Sequence, residues 1–343
     1  MITRQSPRNQ TLYADLLQEV LSATLPEGRG ISFTRKTVKG RRYWYLSVAV
    51  GRKRMQAYLG PVTPEMNKQI EGIKAGWADA RDSARDRSRL VAHLVSSGAT
   101  ATPPASGAVL ATLADGGVFR AGAVLVGTVA FQAYANMLGV RWPGGELRTQ
   151  DIDIAAGPIG VAVSQEGVKL AEILEESAPL VSIPGLFWKE QTTSFETRGQ
   201  RIDLLTPMTG PDSNKPVLVE RLGAYAEPLR FLDFLIEDAQ PAVLLAKDGI
   251  AVNVPDPARF ALHKLVVSQR RTSAWATKTR KDLLQAASLI EVLLEDMPGA
   301  LVAGLDASRA YHEKFHRTAL QAAKNLTNDL GDRLLALDEG EAS

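Results

Sequence analysis

The apolar and polar positions change rhythm along the chain, and each change predicts an element. Thr11 to Ala23 has helical spacing. Alternation over Tyr43-Trp44-Tyr45-Leu46-Ser47-Val48-Ala49-Val50, with Lys39-Gly40 and Gly51 as turn points, predicts a small antiparallel meander. Thr63-Pro64-Glu65 is a helix start, and the charged stretch to about Val95 predicts a long, solvent-facing connecting helix. Ser97 to Gly107, rich in small residues and proline, is the expected linker. Beyond it, Ala121–Val126 and Asp151–Ala155 read as buried strands, with Val129–Leu138 and Gly167–Glu176 as helices. Ser194–Thr197 and Arg201–Thr206 read as a hairpin across Gly199-Gln200. After Pro257 the spacing is helical, with Leu283, Leu284, Ala287, Ile290, Leu293 and Leu294 three and four apart. The expected fold class is α+β: a mixed sheet flanked by helices, an N-terminal β-hairpin module and a C-terminal helical domain. The expected boundaries are 1–62 for the module, 63–104 for the connecting helix and linker, 105–255 for the sheet domain and 256–343 for the helices.

Composition narrows the chemistry. The 343 residues, 45% hydrophobic and 23% charged, allow a large core. The absence of cysteine excludes disulfides, thiolate zinc sites and a cysteine nucleophile. Met1 to Pro7 lacks the apolar stretch of a secretory signal, and the longest apolar run, Ala121–Phe131, is far short of the roughly 20 residues that span a bilayer. A soluble cytoplasmic protein without a membrane partner is expected. Net charge is only +2, but its distribution is uneven. From Gly28 to Pro64 there are nine basic residues and no acid, interleaved with Phe33, Tyr43, Trp44, Tyr45 and Tyr58. Arg41, Arg42, Tyr43 and Arg52 of this stretch are candidate nucleic-acid contacts, since cations neutralise phosphates and exposed rings stack on unpaired bases. The alternative is a hairpin whose rings pack inward on the first helix. A second basic run, Ala258–Lys281, holds seven cations and no acid: Arg259, Lys264, Arg270, Arg271, Lys278, Arg280 and Lys281. Lys264 with Arg270-Arg271 suits a triphosphate or an RNA backbone, or forms a solvated helix face.

Three features carry candidate chemistry. Val124-Leu125-Val126-Gly127-Thr128 runs from strand into a glycine-hydroxyl turn, either a phosphate cradle at a helix N-terminus or a plain turn. In Thr149-Gln150-Asp151-Ile152-Asp153-Ile154, strand alternation sets both carboxylates on one face above two isoleucines. Such a pair needs a compensating cation, for which magnesium is the natural candidate, or else lies at a solvated strand end. Asp203, in Arg201-Ile202-Asp203-Leu204-Leu205, pairs with Arg201 or Arg198, or joins the first two acids from a neighbouring strand. Three carboxylates can hold two magnesium ions.

The order of these motifs resembles the DNA polymerase β-like nucleotidyltransferase superfamily. The resemblance is closest to bacterial toxin–antitoxin and abortive-infection members and to an uncharacterised nucleotidyltransferase-like family, and covers roughly residues 105–290. The chain departs from the pattern in having Gly127-Thr128 where Gly-Gly or Gly-Ser is usual, and in a longer gap from Thr128 to Asp151. The resemblance implies a nucleotidyltransferase-type sheet that moves a nucleoside monophosphate from an NTP to an acceptor hydroxyl and releases pyrophosphate. Asp151, Asp153 and Asp203 would be the catalytic and metal-binding residues, Gly127, Thr128 and Lys264 the nucleotide contacts, and two magnesium ions the cofactors. With the basic runs it points to RNA as acceptor, at a tRNA 3′ end, and to a toxin or defence role with a cognate antitoxin. The competing expectations are a non-catalytic nucleic-acid-binding protein on the same scaffold, and transfer to a small molecule or a protein. His312-Glu313-Lys314-Phe315-His316 matches the zinc-protease pattern on an expected helix, but no further histidine follows to complete a catalytic site.

Overall fold

The computed structural model describes residues 2–23, 31–38, 40–50, 53–143, 151–157, 168–184, 188, 190–270 and 276–340. Arg52 and Arg271, both expected to touch nucleic acid, lie outside the described residues. The chain opens with β1 (Thr3–Arg4) and α1 (Pro7–Ser22), which Ser6 caps by accepting from the Asn9 N–H. Strands β2 (Ile31–Val38), β3 (Arg41–Val50) and β4 (Lys53–Pro61) form the expected antiparallel meander. Helix α2 (Pro64–Ser96) starts as its sequence predicts, with Thr63 accepting from the Met66 N–H and Pro64 in the first turn. Among the described residues, one face of the meander packs on α2. Trp44, 4% exposed, donates its indole N–H to Asn67 at 2.9 Å, and Phe33 stacks on Trp77 with ring centroids 5.1 Å apart. The far end of α2 docks through Val91 and Leu94, which share a small core with Tyr13 and Leu16, and through a buried 2.9 Å ion pair from Arg87 to Asp248.

The Ser97–Gly107 stretch does not form an open linker. Helix α3 (Pro104–Asp115) begins inside it, and Ser106 donates to Gln200 at 2.6 Å. A Cβ on Gly107 would lie 3.0 Å from that of Ala246. The small residues here serve close packing, which a composition reading cannot separate from looseness.

The rest of the chain builds the sheet and its helical cover. In order come β5 (Val124–Val126), α4 (Gly127–Met137), β6 (Val140–Arg141), β7 (Asp151–Ala155), α5 (Leu170–Ser177), β8 (Val181–Ile183), β9 (Ser194–Thr197), β10 (Gln200–Pro207) and β11 (Val217–Val219). They are followed by β12 (Ala224–Leu229), α6 (Leu232–Ile236), β13 (Gln240–Leu244), β14 (Ile250–Val254), α7 (Pro257–Arg270), α8 (Ala276–Asp296), α9 (Pro298–Tyr311), α10 (Glu313–Ala323) and α11 (Leu330–Asp338). The strand expected to start at Ala121 starts at Val124. Gly116 to Gly122 is a turn, tied down by the Asn253 amide, which donates to the carbonyls of Phe119 and Ala123.

The main sheet runs β11-β12-β10-β7-β5, with β9 on β10 and β8 on β9. Strands β7, β10 and β12 are parallel to one another, and β5 is antiparallel to β7. Ile152, Ile154, Ile202 and Leu204 pack beneath the sheet in a core that also takes in Phe260, Leu289 and Phe315 of the C-terminal helices. Sheet and helices thus share one apolar interior, each fully buried isoleucine contributing about 1.5–3 kcal/mol.

The zinc-protease pattern does not form a helical histidine pair. His312 precedes α10 and caps it, its Nδ1 accepting from the Lys314 N–H at 3.1 Å. His316 is buried between Ser308 Oγ at 2.7 Å and Asp338 Oδ2 at 3.3 Å. No helix among the described residues is long and apolar enough to cross a membrane.

Candidate active site

Parallel pairing of β7 and β10 sets Asp203 directly opposite Asp153, and Arg201 opposite Asp151. Register partners share a sheet face, so all four side chains rise on the side away from the buried isoleucines, on strands about 4.8 Å apart. On the other flank of β7, Val126 of β5 pairs with Asp153, which brings the next residue, Gly127, against its carboxylate. Gly127 has φ +66°, and a Cβ there would sit 2.0 Å from Asp153 Oδ2. Only glycine meets both demands. Helix α4 begins at Gly127 with no side-chain cap and no acid in its first turn, leaving its first N–H groups and partial positive charge beside the acids. Thr128 is buried in that first turn.

The acids differ in environment. Burial, reinforced by the charge of Asp203, pushes the Asp153 carboxyl up to about 6, against the pull of Lys264 and Lys281. Asp203 accepts from Arg201 Nε at 2.9 Å and 3.1 Å and from the Ser194 hydroxyl, so its carboxylate is engaged by its own strand and by β9. The Arg201 guanidinium is held above its ordinary range by that hydrogen bond. Among the described residues no set of three or more His, Cys, Asp or Glu side chains is placed to hold a metal ion. The donor chemistry nevertheless fits a hard cation: Asp153 lies where negative charge is in excess, and Asp151 shares its face. Magnesium commonly takes one or two carboxylates and completes its shell with substrate phosphates, and that is the mode these residues fit.

The basic residues expected around the acids divide. Lys264 reaches toward Asp153 but is bound to Asp282 at 2.8 Å, with the two side chains 15% and 4% exposed. Arg259 is buried and paired to Glu237 and Asp238. Arg270 lies over the Phe231 ring at 5.1 Å. Arg41, Arg42 and Tyr43 belong to β3 of the meander, with both arginines exposed. The cation that sequence reasoning passed over is Lys281. It is half-buried on α8, its pKa lowered by burial and by Lys264 while Asp282, Asp153 and Asp151 oppose the shift. Nothing in the basic run marks it out, because only the packing of α8 on α7 brings it to the acids.

A glycine turn closing on a carboxylate strand, with a second acid in register and lysines arriving from helices, defines a phosphate-handling enzyme class. The family model for nucleotidyltransferases matches residues 105–308, more than half of the chain, and the chain belongs to that family. It is a transferase that uses an NTP and moves a nucleoside monophosphate. Neither a curated protein nor a solved structure matches the chain.

Proposed function

We propose that the protein transfers a nucleoside monophosphate from a magnesium-bound NTP to a hydroxyl of RNA, at a tRNA 3′ end. The observation that carries this reading is the in-register pair Asp153 and Asp203 beneath Gly127. The acceptor oxygen attacks the α-phosphorus, the new P–O bond forms as the bond to the bridging oxygen breaks, and pyrophosphate leaves. Asp151 and Asp153 would hold a magnesium ion, and Asp203 takes the hydroxyl proton once its carboxylate leaves Arg201. Bound magnesium supplies neutralisation of the triphosphate and acidification of the acceptor hydroxyl. Lys281 grips the phosphates, with the open first turn of α4 as a second anion contact. Lys264, paired to Asp282, sets the potential at Asp153. A toxin or defence role with a cognate antitoxin rests on the sequence resemblance alone.

The test incubates the protein with magnesium, each α-labelled NTP and total bacterial RNA, with an Asp151→Ala/Asp153→Ala double variant as the blank. Label entering RNA with the wild type alone supports the reading. Label that stays out of RNA while NTP still binds moves the acceptor to a small molecule or a protein. The lysines are separated by a second measurement. Lys281→Ala is expected to raise KM for NTP at least tenfold with an unchanged melting temperature, a charge-assisted contact contributing about 1.5–3 kcal/mol. Lys264→Ala removes the lysine of a buried ion pair, so it is expected to lower stability by about 3–5 kcal/mol. Equal melting temperatures for the two variants would reverse the assignment.

A further inference from the structure

The two faces of the N-terminal meander are not alike. Phe33 and Trp44 are spent on α2, against Trp77 and Asn67. Tyr43 and Tyr45 flank Trp44 on β3 and so rise on the opposite face. A shift in the β3–β4 register falls between Trp44 and Tyr45, pairing Trp44 with Gly60 but Tyr45 with Tyr58. Without it Tyr58 would point to the α2 side, so the irregularity re-aims one aromatic side chain outward. The result is a contiguous tyrosine surface. Tyr58 has its ring centroid 5.8 Å from Tyr43 and 5.7 Å from Tyr45, and it is 58% exposed. Lys36 lies over the Tyr45 ring at 5.1 Å, and Arg41, two residues before Tyr43 on β3, is exposed on the same face.

We infer that this tyrosine face binds single-stranded RNA by base stacking, with the surrounding cations on the phosphates. A strand of RNA matches two independent features. One exposed ring flanked by two half-buried ones is an unfavourable surface for a protein unless something flat covers it. The stretch from Gly28 to Pro64 also has nine cations and no acid, which selects a polyanion. Bases with π-faces on a charged backbone satisfy both, and unpaired bases alone expose those faces. The choice of RNA over DNA rests on the proposed acceptor; the stacking surface itself does not.

The test is anisotropy of a labelled, unstructured 12-nucleotide RNA with the full-length protein, without NTP or magnesium, so that binding is read independently of transfer. Tyr45→Ala/Tyr58→Ala is expected to weaken binding about tenfold or more, and Tyr58→Ala alone by severalfold. Tyr45→Phe/Tyr58→Phe is expected to bind within twofold of wild type, since it keeps the rings. The salt dependence of binding should be unchanged in the tyrosine variants and shallower in Lys36→Gln/Arg41→Gln. Alanine variants that bind like wild type, a wild type that prefers duplex RNA, or one that binds no RNA would overturn the inference. Tighter binding of the same sequence as single-stranded DNA would overturn the assignment to RNA. If tyrosine-dependent binding is found but no label enters RNA, the transfer reading fails and this one stands.

Discussion

Asp153→Asn is expected to cut nucleotidyl transfer by about a thousandfold or more, as loss of the proposed metal-holding carboxylate, while making the protein more stable at neutral pH. The two effects share one cause. In the fold the Asp153 carboxyl titrates near 6 instead of 3.8, because burial and Asp203 oppose its charge. Between those values the folded protein holds a proton that the unfolded chain releases, so stability falls as pH rises from about 4 to about 6 and stays lower above that. Asparagine has no charge to desolvate, which restores about 3 kcal/mol at pH 7. Thermal melts in a chelator from pH 4 to pH 8 would check this, beside initial rates with magnesium. If wild type and variant show the same pH dependence, another group accounts for the loss.

Gly127→Ala is expected to cost both activity and stability. Its methyl group would sit 2.0 Å from Asp153 Oδ2, and its backbone lies in the left-handed region at φ +66°. The conformational part alone costs about 1–2 kcal/mol. Displacement of the carboxylate should take transfer down a hundredfold or more, since small misplacements at a reacting centre have effects of that order. Gly199→Ala is the control. Gly199 has φ +69° but nothing within 4 Å of an added Cβ, so it carries the backbone strain without touching the acids. Loss of rate in Gly127→Ala but not in Gly199→Ala, at matched loss of stability, would isolate the steric role. Equal rates in the two variants would refute it.

How legible this was depends on the range of the signal. The strand Asp151–Ala155 and the hairpin around Gly199 were readable because alternation and turn chemistry are local. The same holds for the Thr63-Pro64 start of α2. The link between Asp153 and Asp203 was open in the sequence, since it depends on β7 and β10 pairing in parallel, which no spacing encodes. The ion pair from Arg201 to Asp203 was one of the foreseen alternatives, two residues apart on one strand face. Lys281 was present in the basic run but indistinguishable there from its neighbours. Ser97–Gly107 misled because small residues look alike whether they loosen a chain or let two surfaces meet. The β13–β14 pair carries a turn signal at Asp248-Gly249 as strong as that at Gly199, so this hairpin too is legible locally.

The acids stand on strands, but the lysines that counter them arrive on α7 and α8. The acids and the lysines that offset part of their charge therefore occupy separate parts of the chain, joined by one shared interior. Substitutions in the helical layer can retune the acidity of Asp153 without disturbing the β7–β10 ladder. In this chain, then, the acidity of a strand carboxylate can be set by residues more than a hundred positions away.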